Sequence, residues 1–360
     1  MKFSYFSNAD NQYNDNSRST NELILQIVDQ AMYAENVGMY SAWVGEHHFN
    51  EFGSNPAPHI VLTHILAKTE RIRVMPGVVV LPLHHPLYVA EDWATMDLLG
   101  NGRVDFAVGR GFDKHEYDRL EVDFDRNHEI MTEQIEILTR AWTEPGRWAF
   151  DGEFYKFENV EVVPKPVQAP LPIYIACFSR PTLDVTSRYG YGMSIAPFAA
   201  GLGFGGVDKQ VREYREKCEA NGHKPGAVNS SYFLHIADTP AEEQAARERQ
   251  VRFFKENAAP AMKTAREGNN KSYEYWHSWA EKVSSLKPED LKPGSVLLGS
   301  PEQIGEAVAK IESEGVEEIG LYVNIGLKDP QQTKDEMQRF MEEVAVHFDG
   351  PHKALAAAAE

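Results

Sequence analysis

Short apolar runs alternate along this chain with longer stretches whose apolar positions recur every three or four residues, so strands should alternate with helices. Residues 2–6 alternate apolar and polar and predict a first strand, which leads into a polar loop over 8–21. From 22 to 37, Leu23, Ile24, Ile27, Val28, Ala31, Met32 and Ala34 share one helical face, and Gly38 can end that helix in a left-handed turn. Further strands are predicted at 41–44, 72–81, 104–108, 173–176, 193–196, 231–237 and 319–323. Helices are predicted between them near 58–69, 87–99, 129–143, 181–189 and 207–221. A last helix opens with Ser300 as N-cap, Pro301 at the first helical position and Gln303 completing a capping box, and ends at Gly315.

Neighbouring strands joined by a single helix must run parallel, because a parallel crossover needs about a dozen residues. Eight such strand candidates favour a closed (β/α)8 TIM barrel over an open doubly wound sheet, and 360 residues suit one barrel domain over 1–350. The pattern weakens over 265–293, where Tyr273, Tyr275, Trp276 and Trp279 cluster. An aromatic insertion there is expected to form a lid over the mouth of the barrel. Residues 351–360 end in an alanine run and are expected to be a disordered tail.

With 42% hydrophobic residues the chain can bury a large core. Its net charge of −18 repels phosphate backbones and anionic headgroups, which argues against nucleic acid or a membrane as partner. Cys177 and Cys218 could form one bridge at most, a usage that fits a reducing cytoplasm. The N-terminal residues lack the apolar core of a secretion signal, and no segment has about 18 uninterrupted apolar residues.

Four clusters could carry chemistry. In Val44-Gly45-Glu46-His47-His48-Phe49 a strand yields to a loop, on the catalytic face of a barrel, where a histidine can serve as acid–base or simply as a structural group. In Val74-Met75-Pro76-Gly77-Val78-Val79-Val80 the β-branched run is core, but Gly77 suggests a bulge or a close approach of backbone to something bound. Arg110 stands between Gly109 and Gly111 at a strand end, placed for a phosphate or for a surface salt bridge. Ala176-Cys177-Phe178-Ser179-Arg180-Pro181-Thr182 leads from strand to helix, where N–H groups and hydroxyls favour anions. Adjacent histidines on a strand point to opposite faces and no ligand quartet completes a site, so no metal is expected. Gly201-Leu202-Gly203-Phe204-Gly205-Gly206 spells G-x-G-x-x-G but trails a proline-containing loop, so it reads as a flexible loop and not as a dinucleotide fingerprint.

Taken together, the clusters resemble the bacterial luciferase family of flavin-dependent monooxygenases. Glu46-His47-His48-Phe49-Asn50-Glu51-Phe52-Gly53 is nearly the Glu-His-His-Phe-Thr-Glu-Phe-Gly of luciferase alpha subunits, and Val79-Val80-Leu81-Pro82, Gly102-Arg103 and Gly109-Arg110-Gly111 follow in the same order. The resemblance implies that His47 is the active-site histidine and that Gly77-Val78 is a non-prolyl cis peptide against the flavin ring. It also implies that Arg110, Cys177, Phe178, Ser179, Arg180 and Thr182 surround the cofactor and its phosphate. Luciferase has a cysteine where this chain has Gly109, an acidic residue at Cys177 and an aromatic one at Pro197, so a non-luminous relative is expected.

The activity so implied uses reduced FMN and O2, through a peroxyflavin, to oxygenate a small organic substrate such as an aldehyde or ketone. Reduced flavin would come from a separate reductase, and the chain would be a homodimer. The rival readings are hydride transfer with a deazaflavin (F420) or FMN on the same fold, a non-catalytic flavin-binding homologue, and a metal-dependent hydrolase.

Overall fold

The structure, a computed structural model, describes residues 1–264, 274–291 and 296–353. In chain order its strands are β1 (Lys2–Ser7), β2 (Ser41–Val44), β3 (Arg73–Pro76), β4 (Val79–Val80), β5 (Phe106–Gly109) and β6 (Trp148–Asp151). They continue with β7 (Lys156–Val160), β8 (Ile173–Ala176), β9 (Gly192–Ile195), β10 (Val228–Ile236), β11 (Val296–Gly299) and β12 (Glu318–Tyr322). Parallel pairing runs β3-β2-β1-β12-β10-β9-β8-β5-β4. β3 and β4 are halves of one stave broken at Gly77-Val78, the first pairing with β2 and the second with β5. A bridge from Val74 to Val104 closes the circle, with Val74 N–H on Arg103 O and Asp105 N–H on Val74 O, both at 2.9 Å. The result is the expected (β/α)8 barrel. β11 is an addition, paired with the outer end of β10.

The helices that connect the barrel strands lay one face on this wall. The helix Thr20–Asn36 starts at a capping box between Ser19 and Glu22 and buries Leu23, Ile27, Ala31 and Ala34. Ser300 and Gln303 form the expected box ahead of Pro301–Ser313. The barrel floor is solid: Trp43, Met75, Ala107 and Tyr174 pack inside it. Gly320 makes room there, since a Cβ on it would lie 2.2 Å from the Trp43 ring. Below them Ser4 and Ser41 donate to the buried Glu318 carboxylate at 2.6 and 2.8 Å. With the floor plugged, the barrel interior opens toward the carboxyl ends of the strands.

Several elements depart from the sequence reading. The hairpin β6–β7 and the strand β11 went unpredicted. Pro197–Gly203 is a helix, which places Gly201 and Gly203 inside it and corrects the expected loop. After β10 the chain forms the helix Pro240–Arg252, a wider π-type turn over Phe253–Ala258 and the helix Ala259–Thr264. Within the expected insertion the described part includes the helix Glu274–Ser284; residues 265–273 and 292–293 lie outside the described residues. Of the expected tail, His352 is buried, its ring 5.7 Å from that of Phe3, and 354–360 lie outside the described residues. No described helix is long and apolar enough to cross a membrane.

Candidate active site

The strand ends surround a cavity of about 1270 Å³, counting its open mouth. Its lining includes His47, Gly77, Val78, Arg110 and Phe178 from the predicted set, together with Asn8, Glu46, Gly109 and Ala176.

His47 follows β2 on a loop that packs tightly because of two glycines. A Cβ on Gly45 would meet Asn8 Oδ1 at 2.6 Å, and one on Gly53 would meet His47 Cδ2 at 2.5 Å. The ring is held edge-on by Phe52 at 4.6 Å and Phe112 at 5.8 Å between centroids. Its Nδ1 lies 3.0 Å from Glu116 Oε1, which also accepts the His48 N–H at 2.8 Å. A carboxylate only accepts, so Nδ1 carries the proton, which leaves Nε2 as the acceptor of this tautomer. Sequence reasoning missed Glu116. The available signal was Asp113-x-x-Glu116, a capping pattern: Asp113 does cap the helix Lys114–Arg119 through the His115 N–H, while Glu116 crosses to the histidine.

Glu46 and His48 form a second group with His84. His48 Nε2 and His84 Nε2 approach the same Glu46 oxygen at 2.9 and 2.6 Å, and its other oxygen accepts the Val80 N–H at 3.3 Å. Burial would push the Glu46 carboxyl up, but the hydrogen bonds from His48 and His84 outweigh it and bring its pKa to about 2. These three residues place potential metal ligands within 4.8 Å of one another, a grouping the sequence reading did not foresee, since His84 comes from beyond β4. Ligands about 2.0–2.2 Å from a tetrahedral ion sit more than 3 Å apart. Contacts of 2.6 and 2.9 Å are those of hydrogen bonds.

One cavity wall has almost no relief. Gly77–Val78 is a cis peptide, as the resemblance implied. A Cβ on Gly109 would lie 2.7 Å from Val78 and 3.3 Å from Ala176, so only glycine keeps this wall flat. At its end Arg110 donates to Asn127 Oδ1 at 3.2 Å and Ser179 Oγ at 3.1 Å, and Ser179 lies 3.1 Å from Thr182 Oγ1. Ser179 is N-cap of the helix Arg180–Tyr189 without using its side chain as a cap. A cation, two hydroxyls and a helix N-terminus thus meet beside a flat wall, a donor set that fits a phosphate attached to a planar ring.

Ser179 and Thr182 do not line the cavity themselves and connect to it through Arg110, and two more predicted residues sit elsewhere. Cys177 is fully buried behind its strand, its Sγ 2.9 Å from Thr186 Oγ1, and burial pushes its thiol up to about 12. Strand alternation turns it outward between Ala176 and Phe178, which face the cavity. Arg180 turns to the Gly203 carbonyl at 2.8 Å and to Glu213 at 3.4 Å, and stacks on Phe204.

The luciferase-like monooxygenase family matches residues 1–318, and the chain belongs to it. It is an enzyme of the luciferase-like monooxygenase class. The oxygenase component of flavin-dependent trigonelline monooxygenase from Acinetobacter baylyi is 24% identical over 356 residues, 97% of this chain and 96% of that protein. Monooxygenase RslO1 from Streptomyces bottropensis has a TM-score of 0.80 at 25% identity, covering 97% of this chain and 100% of that one. The oxygenating constituent of 3,6-diketocamphane monooxygenase from Pseudomonas putida, in complex with FMN, has a TM-score of 0.78 at 16% identity over 97% and 99%. An F420-dependent secondary alcohol dehydrogenase has a TM-score of 0.75 at 16% identity over 97% and 99%. The last two share the fold alone.

Proposed function

We propose that this enzyme is the oxygenase half of a two-component system that uses reduced FMN and O2 to oxygenate a small organic substrate. The observation that carries this reading is a flat Gly77-Val78-Gly109 wall with Arg110 at one end and a carboxylate-anchored His47 in the same cavity. Reduced FMN supplies two electrons to O2, so that one oxygen atom enters the substrate and the other leaves as water. The protein supplies placement: Arg110, Ser179 and Thr182 take the phosphate, and Gly77, Val78 and Gly109 seat the ring. Phe178 and the aromatic side chains opposite keep water out. His47 accepts or returns a proton at Nε2 while Glu116 holds Nδ1–H. The name of the Acinetobacter relative, an oxygenase component, supports a separate reductase. Both cysteines are free and buried, which suits a reducing cytoplasm. Ile60, Tyr88 and Leu99 stand 63%, 70% and 66% exposed on two neighbouring helices, single apolar side chains that a homodimer would cover.

Anaerobic titration with reduced FMN tests this reading. Bound at about a hundredfold excess over its dissociation constant, it should raise the melting temperature by about 3–4 °C. His47→Ala should keep that shift and lose about 10²–10⁴-fold in turnover. A shift with reduced F420 and none with reduced FMN would replace the reading with hydride transfer.

A further inference from the structure

The order of the strands puts chemically different surfaces on opposite sides of the cavity. Gly77, Val78 and Gly109 stand at β3–β5, while β10 and β12 lie across the barrel from them. From β10 comes Phe233 and from β12 Tyr322, with ring centroids 5.1 Å apart and planes at 26°. The chain beyond β10 adds Phe254, perpendicular to Trp279 at 5.7 Å, and Phe198 stands 5.3 Å from Trp279. Among the described residues Tyr322 is the one ionisable group on this wall, and its hydroxyl donates to the buried Asp10. Aliphatic chains gain only area there, whereas a flat ring also gains edge-to-face and offset stacking with these rings. Among the described residues no charged side chain faces the cavity from that wall, so a charge placed against the rings would lose its hydration without a direct ion pair.

β1 and β2 form the arc that joins the two walls, and they carry Asn8 and His47 to the cavity. Because Glu116 holds the proton on Nδ1, Nε2 of His47 accepts, and it has no hydrogen-bond partner among the described residues. An acceptor at the edge of an aromatic slot calls for a hydroxyl.

We propose that the substrate is an uncharged planar hydroxyarene, its ring on the Phe233–Tyr322–Trp279 wall and its O–H donated to His47 Nε2. This rests on the flavin reading above, which assigns the opposite wall to the cofactor.

The test is anaerobic binding to the enzyme holding reduced FMN, read by quenching of protein fluorescence, with 2-naphthol, 2-methoxynaphthalene, decanal and N-methylpyridinium as probes. 2-Naphthol should bind about fivefold more tightly than its methyl ether, and His47→Ala should abolish that preference. Trp279→Leu should weaken both naphthalenes about threefold to tenfold and leave decanal unchanged; Phe198→Leu serves if that variant does not fold. Decanal or the pyridinium cation binding as tightly as 2-naphthol overturns the proposal, as does a hydroxyl preference that survives in His47→Ala. Failure of the protein to perturb the absorbance of reduced FMN overturns the flavin reading instead.

Discussion

Glu46 is nearly inaccessible, yet two imidazoles and a backbone N–H favour its ionised form, and the Glu46 contact in turn favours the protonated form of His84. Burial lowers the His84 pKa, but the Glu46 hydrogen bond and charge outweigh it and leave the net shift upward. The two signs bound the stable range. The lowered Glu46 pKa contributes stability above its ordinary 4.5, which is lost as pH falls toward about 2. The raised His84 pKa contributes stability that is complete below its ordinary 6.5 and is lost as pH rises through the elevated value. His84→Gln should therefore cost about 1.5–3 kcal/mol near pH 6 and progressively less as pH rises through the elevated His84 pKa. Denaturant unfolding of both proteins across that range checks it, and a gap independent of pH would mean that His84 is neutral throughout. His47 was legible because a titratable residue follows a buried strand. Glu116 was not, because its partner lies 69 residues away and its local spacing describes a helix cap equally well.

At the level of elements, alternation of strand and helix periods carried the barrel, and the misread segments are those where packing overrides local preference. Pro197–Gly203 is a helix despite two glycines because Pro197 suits its first turn and Ala199 and Ala200 are buried. The break between β3 and β4 was visible as Gly77 in a β-branched run, though which strands each half pairs with depends on closure of the ring. A buried ion pair was invisible, since lysine is ordinarily a surface residue. Lys328, just beyond β12, is fully buried, and its Nζ donates to Leu234 O of β10 at 3.0 Å and to Glu336 at 2.6 Å. Burial lowers the lysine pKa and raises the glutamate pKa, so each ion depends on the other. Lys328→Met should cost about 3–5 kcal/mol by leaving Glu336 buried alone, and adding Glu336→Leu should recover most of it. Urea unfolding of the single and double variants decides this; a single variant within about 1 kcal/mol of the parent would show that the pair is not coupled to the fold.

For the whole molecule, the source of electrons depends on what the barrel omits around its cavity. The formal G-x-G-x-x-G ends up with Gly201 and Gly203 inside a helix and Gly206 as N-cap of the next, Val207–Ala220. A pyrophosphate site needs the first glycine in a tight turn directly after a strand, with the backbone open to the ligand. The cation and helix N-terminus that could take a phosphate, Arg110 and Ser179, belong to the flavin on the present reading. A nicotinamide dinucleotide would have to compete for them. NADH or NADPH mixed with the enzyme and FMN should consequently give no oxygen uptake beyond that of free flavin. Photoreduced FMN supplied without any nicotinamide should give one product per enzyme in a single turnover. An unrelated flavin reductase added with NADH should sustain many turnovers, because only diffusible reduced flavin need pass between the proteins. Oxidation of NADH by the enzyme and FMN alone, at the rate seen with the reductase, would mean that one cavity serves both cofactors in turn.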